Sequence, residues 1–313
     1  MIEIARYDRT CASAWDAAVE ASRNGTFLHR RAYMDYHADR FTDFSLMAFG
    51  RSGHIVAVLP ADVSGSTLRS HAGLTYGGWL MSDRADMNTM MEVWAASREF
   101  ATAQGIDTLI YKPVPHIFHR YPAEEDLYAL FRDGAATESV QVSSAIDLSL
   151  PLPFDQNARR GTAKALKAGL TVAESTDYAS FWHILGEVLA ERHSTTPVHS
   201  LAEIELLAGR FPENIKLYGV FDGDRMIAGT VLYITPEVVH AQYIASDGDG
   251  RSSGALALLF GTLIEKFAGR ARYFDFGTSN EDGGLVLNAG LVRQKCGFGA
   301  RAVAFYTYKV SWR

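Results

Sequence analysis

Three kinds of group in this sequence could act on a ligand: a carboxylate between aromatic rings, a histidine closing a helical pattern, and cations gathered on one helical face. Asp275 stands between Phe274 and Phe276, so on a strand its side chain points away from both rings. If the rings enter a core, the carboxylate faces a groove and can accept or orient a proton. In the other reading it bonds backbone N–H groups of the loop that follows. His193 ends the pattern 178–193 within Glu191-Arg-His-Ser-Thr-Thr-Pro-Val-His-Ser200. Imidazole titrates near neutrality, which makes His193 a candidate general base, with a helix C-cap role open beside it. Arg192 and His199 flank it and could meet a phosphate or carboxylate. Arg159, Arg160 and Lys164 open a helix, and Arg160 and Lys164 share a face. That spacing suits a diphosphate or a plain solvated surface. Cys296 has no adjacent histidine and so is not indicated as a nucleophile.

Further polar residues sit where strands turn into helices. Asn280 and Asn288 could bind carbonyls, and Asn288 is equally a good N-cap. Arg251-Ser-Ser-Gly254 opens another helix and reads as a phosphate-holding loop or as a loop with a serine N-cap. Ser200-Leu-Ala-Glu203 is a capping box, which assigns Glu203 to the helix start. Along the strand from Val238, simple alternation puts His240 and Tyr243 on opposite faces.

The elements that must carry these residues repeat. The second half reads strand 171–174, helix 178–193, helix 201–209, and a hairpin of 216–221 and 226–234 around Asp222-Gly. Strand 238–245, helix 253–268, strand 269–276, helix 287–295 and strand 303–310 follow. The first half has the same order: strand 2–6, helices 11–22 and 30–40, a hairpin of 45–49 and 55–63, a strand near 73–80, a helix from 85, strand 103–111, helix 123–132 and strand 139–148. A repeat this long implies paired domains, expected at 1–150 and 151–313 with Pro151 and Pro153 at the join. The fold class expected is α/β of the α+β kind, with each domain a mixed, mostly antiparallel sheet flanked by helices.

With 313 residues, 48% hydrophobic and 12% aromatic, the chain can fill two cores. Its net charge of −6 argues against a general nucleic-acid surface and against DNA as a partner. Basic residues nevertheless gather at 159–167, and no acid follows Asp282; two basic zones fit a phosphorylated small molecule or one end of an RNA. The N-terminus carries no signal-peptide pattern, and the apolar run 255–264 is too short to span a bilayer. Two cysteines, Cys11 and Cys296, suit a reducing compartment and give no metal spacing, so a cytoplasmic protein without a metal is expected.

The order strand, two helices, three antiparallel strands, helix, strand, helix, strand is that of the GNAT acyltransferase fold, here twice. Arg160-Gly-Thr-Ala-Lys-Ala-Leu-Lys-Ala-Gly-Leu170-Thr-Val, Phe274-Asp-Phe-Gly277 and Lys295-x-x-Phe-Gly-Ala300 resemble the tandem-GNAT proteins that include the Fem-type peptidoglycan aminoacyltransferases. The resemblance covers most of the second half and implies transfer of an acyl or aminoacyl group onto an amine of a cell-envelope saccharide or peptide precursor, often nucleotide-linked. It implies no tightly bound cofactor. The donor is acyl-CoA in ordinary GNAT enzymes and aminoacyl-tRNA in the Fem branch; no coiled-coil arm for tRNA occurs in this sequence. For acyl-CoA, Arg251 and Gly254 would hold the pyrophosphate, although the final small residue of that loop motif is replaced by Leu256. The resemblance also implies that Lys295 faces the donor carbonyl or phosphate, where a cation stabilises developing negative charge. A solvated helix-end lysine is the alternative. Tyr243 would line the acceptor. An acyl-CoA-dependent acetyltransferase of an amino sugar or small amine, and a noncatalytic binding protein on the same fold, remain open, as does the oligomeric state.

Overall fold

The computed structural model describes residues 2–193 and 196–312, the side chains of Arg192 and His193 excepted. They form two compact units: 1–141 with 283–285 and 304–313, and 142–282 with 286–303. The fold is mixed α/β, with large, mostly antiparallel sheets flanked by helices.

In the second unit, apolar alternation builds a sheet in the order Thr171–Ser175, Ile215–Asp222, Arg225–Ile234, Val238–Ser246, Tyr273–Thr278 and residues 143–147 of the strand Ala136–Asp147. The first four strands run antiparallel, and Gly223 at φ +59° supplies the left-handed turn of the hairpin. Val238–Ser246 and Tyr273–Thr278 pair in parallel because the helix Ala255–Phe267 crosses between them. That helix buries Ala255, Leu258, Leu259, Phe260, Leu263, Ile264 and Phe267, spaced three and four apart, against the sheet.

One helix was expected over 253–268, preceded by a serine-capped loop. Two occur instead: Gly248–Ser253, capped by Asp247, and Ala255–Phe267, joined at Gly254 with φ +82°. The reason is the neighbouring helix Gln156–Lys167, capped by Asp155. A Cβ on Gly254 would lie 2.5 Å from the Gly161 carbonyl oxygen, and one on Gly161 would lie 2.8 Å from Ala257 Cβ. Small residues let the two backbones approach, and only glycine takes the left-handed corner without strain.

The first unit has a four-stranded sheet, Glu3–Arg6, Leu46–Phe49, Ile55–Leu59 and Leu80–Met81. A second set of strands comprises Thr42–Asp43, Asp62–Ser64, Thr67–Arg69 and Thr108–Tyr111. The strand expected near 73–80 is reduced to Leu80–Met81. Gly73, Gly77 and Gly78 interrupt it, and Gly78, at φ +74°, lies so close to Tyr111 that a Cβ would meet its hydroxyl at 2.8 Å. The chain's last strand, Arg301–Ser311, supplies residues 308–311 to this unit, antiparallel to Thr108–Tyr111. Val310 and Trp312 are buried in its core beside Trp94 and Leu109.

Candidate active site

The parallel ladder between Val238–Ser246 and Tyr273–Thr278 ends at the pair His240↔Asp275. Beyond it the two strands no longer pair with each other. Phe274 and Phe276 enter the core against Phe260, which turns the Asp275 side chain to the opposite face. There the carboxylate is fully buried and accepts from Ser143 Oγ at 2.5 Å, while its Oδ2 lies 2.7 Å from His240 Nδ1. A carboxylate only accepts, so Nδ1 carries the hydrogen and Nε2 keeps its lone pair in the neutral ring. Among the described residues nothing donates to Nε2. A histidine held this way has the arrangement of an oriented general base.

Lys295 projects from the helix Ala289–Gly297 into the turn that follows Asp275. Its Nζ donates to Gly277 O and Thr278 O, both at 2.8 Å, and to Ser279 Oγ at 2.9 Å. All three ammonium hydrogens are therefore engaged, at a residue only 4% exposed. Burial pushes its pKa down to about 8, with the Asp275 carboxylate opposing. The lysine fixes the strand end at Gly277, φ +75°, where the register slips between Asp275 and Thr278.

Tyr243 joins His240 on the same face, against the expectation from alternation. The ladder pairs Val231 with Tyr243 and Leu232 with Ala241, leaving Gln242 as a bulge. The extra residue inverts the side-chain sequence beyond it, so Val239, Ala241 and Ile244 face the core and Tyr243 does not. The Tyr243 hydroxyl meets His199 Nδ1 at 2.5 Å, and burial pushes its pKa up to about 12. Trp182 packs edge-on against the Tyr243 ring at 5.1 Å and donates from Nε1 to His199 O.

The remaining polar candidates are engaged in local structure. Asn280 Oδ1 accepts from Val142 N at 2.5 Å, and Asn288 caps the helix Ala289–Gly297 through Leu291 N. Arg159 and Arg160 are exposed, and Lys164 Nζ donates to Ser252 O at 2.5 Å. Arg251 Nη1 bonds Ser246 O at 2.9 Å. The side chains of Arg192 and His193 lie outside the described residues.

A cavity of about 430 Å³ opens beside the first turn of Ala255–Phe267, between that helix, Gln156–Lys167 and Ala289–Gly297. Asn157, Arg251, Gly254, Arg293 and Gln294 line it. Two guanidinium groups and a helix N-terminus make it suited to an anionic group. Sequence reasoning named Arg251 and Gly254 here but missed Arg293 and Gln294. The absence of acids after Asp282 was the signal that pointed to this stretch. His240 and Ser143 were missed as site residues, since only the sheet register brings them to Asp275.

Residues 154–282 match the family model of the acetyltransferase (GNAT) domain. Across nearly the whole chain the fold is similar to that of FemX, with a TM-score of 0.66 at 15% identity over 97% of this chain and 96% of that one. It is similar also to L-PGS from Bacillus licheniformis, at TM-score 0.63 and 12% identity over 97% and 92%. For a tandem GNAT protein from the clavulanic acid biosynthesis pathway the values are 0.54 and 12% over 100% and 99%. No curated protein matches the chain in sequence. The resemblance to GNAT enzymes drawn from the motifs thus holds as a domain match over 154–282, and the Fem-type resemblance as a likeness of fold. Among the described residues, no helix is long and apolar enough to cross a membrane.

Proposed function

We propose that the second unit transfers an acyl or aminoacyl group to an amine by direct attack, with His240 as the proton acceptor and Asp275 as its orienting partner. The observation that carries this reading is the 2.7 Å contact from His240 Nδ1 to a fully buried carboxylate at the point where two parallel strands part. The amine nitrogen attacks the acyl carbonyl carbon, and Nε2 of His240 takes the proton that nitrogen sheds. Collapse of the tetrahedral adduct breaks the bond to the donor's sulfur or ribose oxygen, which takes the proton from His240 Nε2 and leaves as thiol or hydroxyl, returning the imidazole to its neutral form. Lys295 supplies positive potential beside the developing oxyanion. The cavity at Arg251 and Arg293 supports a donor with phosphate groups, either a CoA thioester or an aminoacyl-tRNA end. The acceptor in this reading is an amine of a cell-envelope saccharide or peptide precursor.

The test is turnover of the purified chain with acyl-CoA and aminoacyl-tRNA donors against a panel of amino sugars and peptide amines, for wild type and His240→Gln. Loss of an oriented base lowers kcat by about 10²–10⁴. Unchanged kcat in His240→Gln refutes the assignment. Ligand binding without turnover for every donor would move the protein to the noncatalytic class.

A further inference from the structure

The first unit holds a group of nitrogens that the transfer does not use. Its centre is His71, buried, with a backbone φ of +51°; Asp282 is the other non-glycine residue with positive φ among those described. Such a conformation costs a residue with a Cβ about 1–2 kcal/mol and persists only where the surroundings enforce it. Here they do. Ser70 N donates to Ile110 O, Ala72 N to Asp62 Oδ1 at 2.6 Å, and Gly73 N to His71 Nδ1 at 3.3 Å.

The last bond fixes the tautomer. With Nδ1 accepting, the hydrogen of the neutral ring sits on Nε2, and no described residue accepts it. Lys112 borders the same loop. Its ammonium reaches Leu74 O at 3.4 Å and meets no other acceptor among the described residues, a single long bond for three hydrogens. Burial lowers the pKa of both groups, that of His71 to about 3, with His37 and Lys112 adding to the effect. The carboxylates nearby are committed: Asp62 to Arg69 and Ala72 N, and Asp43 to Arg31 and Ser45 N.

Rings hold the imidazole in place. His37 stacks on His71 at 5.3 Å, Tyr36 stacks on His37 at 4.2 Å, and Phe41 leans on His71 at 5.1 Å. His37 is itself fixed by Met34 O, 2.7 Å from its Nδ1. Among the described residues no third histidine, cysteine or acid joins the two imidazoles as a metal-ligand set. What is present is a rigid pair of donors, an ammonium and an imidazole N–H, short of acceptors.

We propose that His71 and Lys112 form an oxyanion-binding site in the first unit, taking a carboxylate or phosphate group of a ligand, with the strained loop 70–74 as its rim. The oxygen atoms of such a group accept from His71 Nε2 and from Lys112 Nζ, supplying the bonds that the protein leaves unmade.

The experiment uses the full chain with labelled histidine, titrated with inorganic phosphate and, separately, with acetate, following the His71 ring signals by NMR. Saturable displacement by phosphate, acetate or both is expected, and their ratio distinguishes a phosphate from a carboxylate ligand. Lys112→Met, read at the same His71 signals, weakens the affinity by about tenfold or more, the loss of one charge-assisted bond. His71→Gly leaves the melting temperature unchanged or higher, because glycine suits the backbone, and, made in the Arg293→Ala background, removes the rise in melting temperature that the binding anion is expected to give Arg293→Ala alone. Arg293→Ala, in the second unit's cavity, leaves the His71 response intact. The proposal is overturned if neither anion displaces the His71 signals saturably, if Lys112→Met binds as tightly as wild type, or if Arg293→Ala removes the response. A sharp fall in melting temperature for His71→Gly would also overturn it, by showing that the ring is there to fill the core.

Discussion

Replacing Lys295 by methionine separates the two demands made on this side chain. The residue is only 4% exposed, and burial, opposed by the Asp275 carboxylate, lowers its pKa to about 8. Against an unfolded value of about 10.4 the shift spans some two units, at roughly 1.4 kcal/mol each, so desolvation costs about 3 kcal/mol at neutral pH. Three hydrogen bonds from a charged donor return about 1.5–3 kcal/mol each, which outweighs that cost. Lys295→Met removes both contributions and leaves Gly277 O, Thr278 O and Ser279 Oγ without their donor. We expect a net loss of about 2–4 kcal/mol at pH 7, a fall of several degrees in the melting temperature of the second unit. The pH dependence gives a second reading. Between about pH 8 and 10.4 the unfolded wild type holds a proton that the folded form has lost, so wild-type stability gains with rising pH and the variant lacks this gain. Urea unfolding of both proteins at pH 7 and pH 9.5 measures the difference. An unchanged midpoint at pH 7, or a difference that shrinks toward pH 9.5, would refute the account of Lys295 as a desolvated cation that secures the turn.

Three shorter predictions concern other parts of the fold. Asp275→Asn leaves Ser143 and His240 facing an amide that can accept from only one of them; kcat drops by about 10²–10⁴ while stability falls by only about 1–2 kcal/mol, and parallel turnover and melting curves would expose any coupling of the two. Gly254→Ala drives a methyl into the Gly161 carbonyl at a backbone φ of +82°, at a cost of about 2–4 kcal/mol visible as a lowered denaturation midpoint. Asp126 in the first unit is buried beneath the Tyr111 hydroxyl, and burial raises its pKa to about 7. The folded state keeps that proton where the unfolded chain has lost it, so stability falls from about pH 4 to pH 7 and then levels; Asp126→Asn should flatten this slope in a urea series.

What could be read from the residues was what local rules write. The capping box at Ser200 and Glu203 forms, with Ser200 N donating to Glu203 Oε2 at 2.7 Å. The Asp222-Gly hairpin is likewise visible, and so are most of the longer elements, because each depends on neighbours a few positions apart; the short strands Thr42–Asp43 and Thr67–Arg69 were not, and the helix expected over 30–40 is only Arg31–Met34 with a 3-10 turn after it. The His240 and Asp275 pair was hidden, since it forms only after a crossover helix brings strands 35 positions apart into register. Tyr243 was assigned to the wrong face because the bulge at Gln242 has no composition to mark it. The basic cluster at 159–164 was visible as charge, yet the residue that fixes its helix is Gly161, whose lack of a side chain matters through what it meets in space.

The C-terminal strand has a consequence for how the protein is made. The N-terminal unit leaves the ribosome first but cannot close, because Val310 and Trp312 belong to its core and Trp312 Nε1 donates to Asp133 Oδ2 at 2.8 Å. Until residues 308–311 are made, the edge of Thr108–Tyr111 lacks the strand that pairs with it in the folded protein. Such an edge is a template for mispairing with other chains. Nonsense mutations at codons 304–312 would therefore cripple the half of the molecule that was synthesised earliest. Synthesis of residues 308–312, rather than of the first half, sets the moment at which that half can become native.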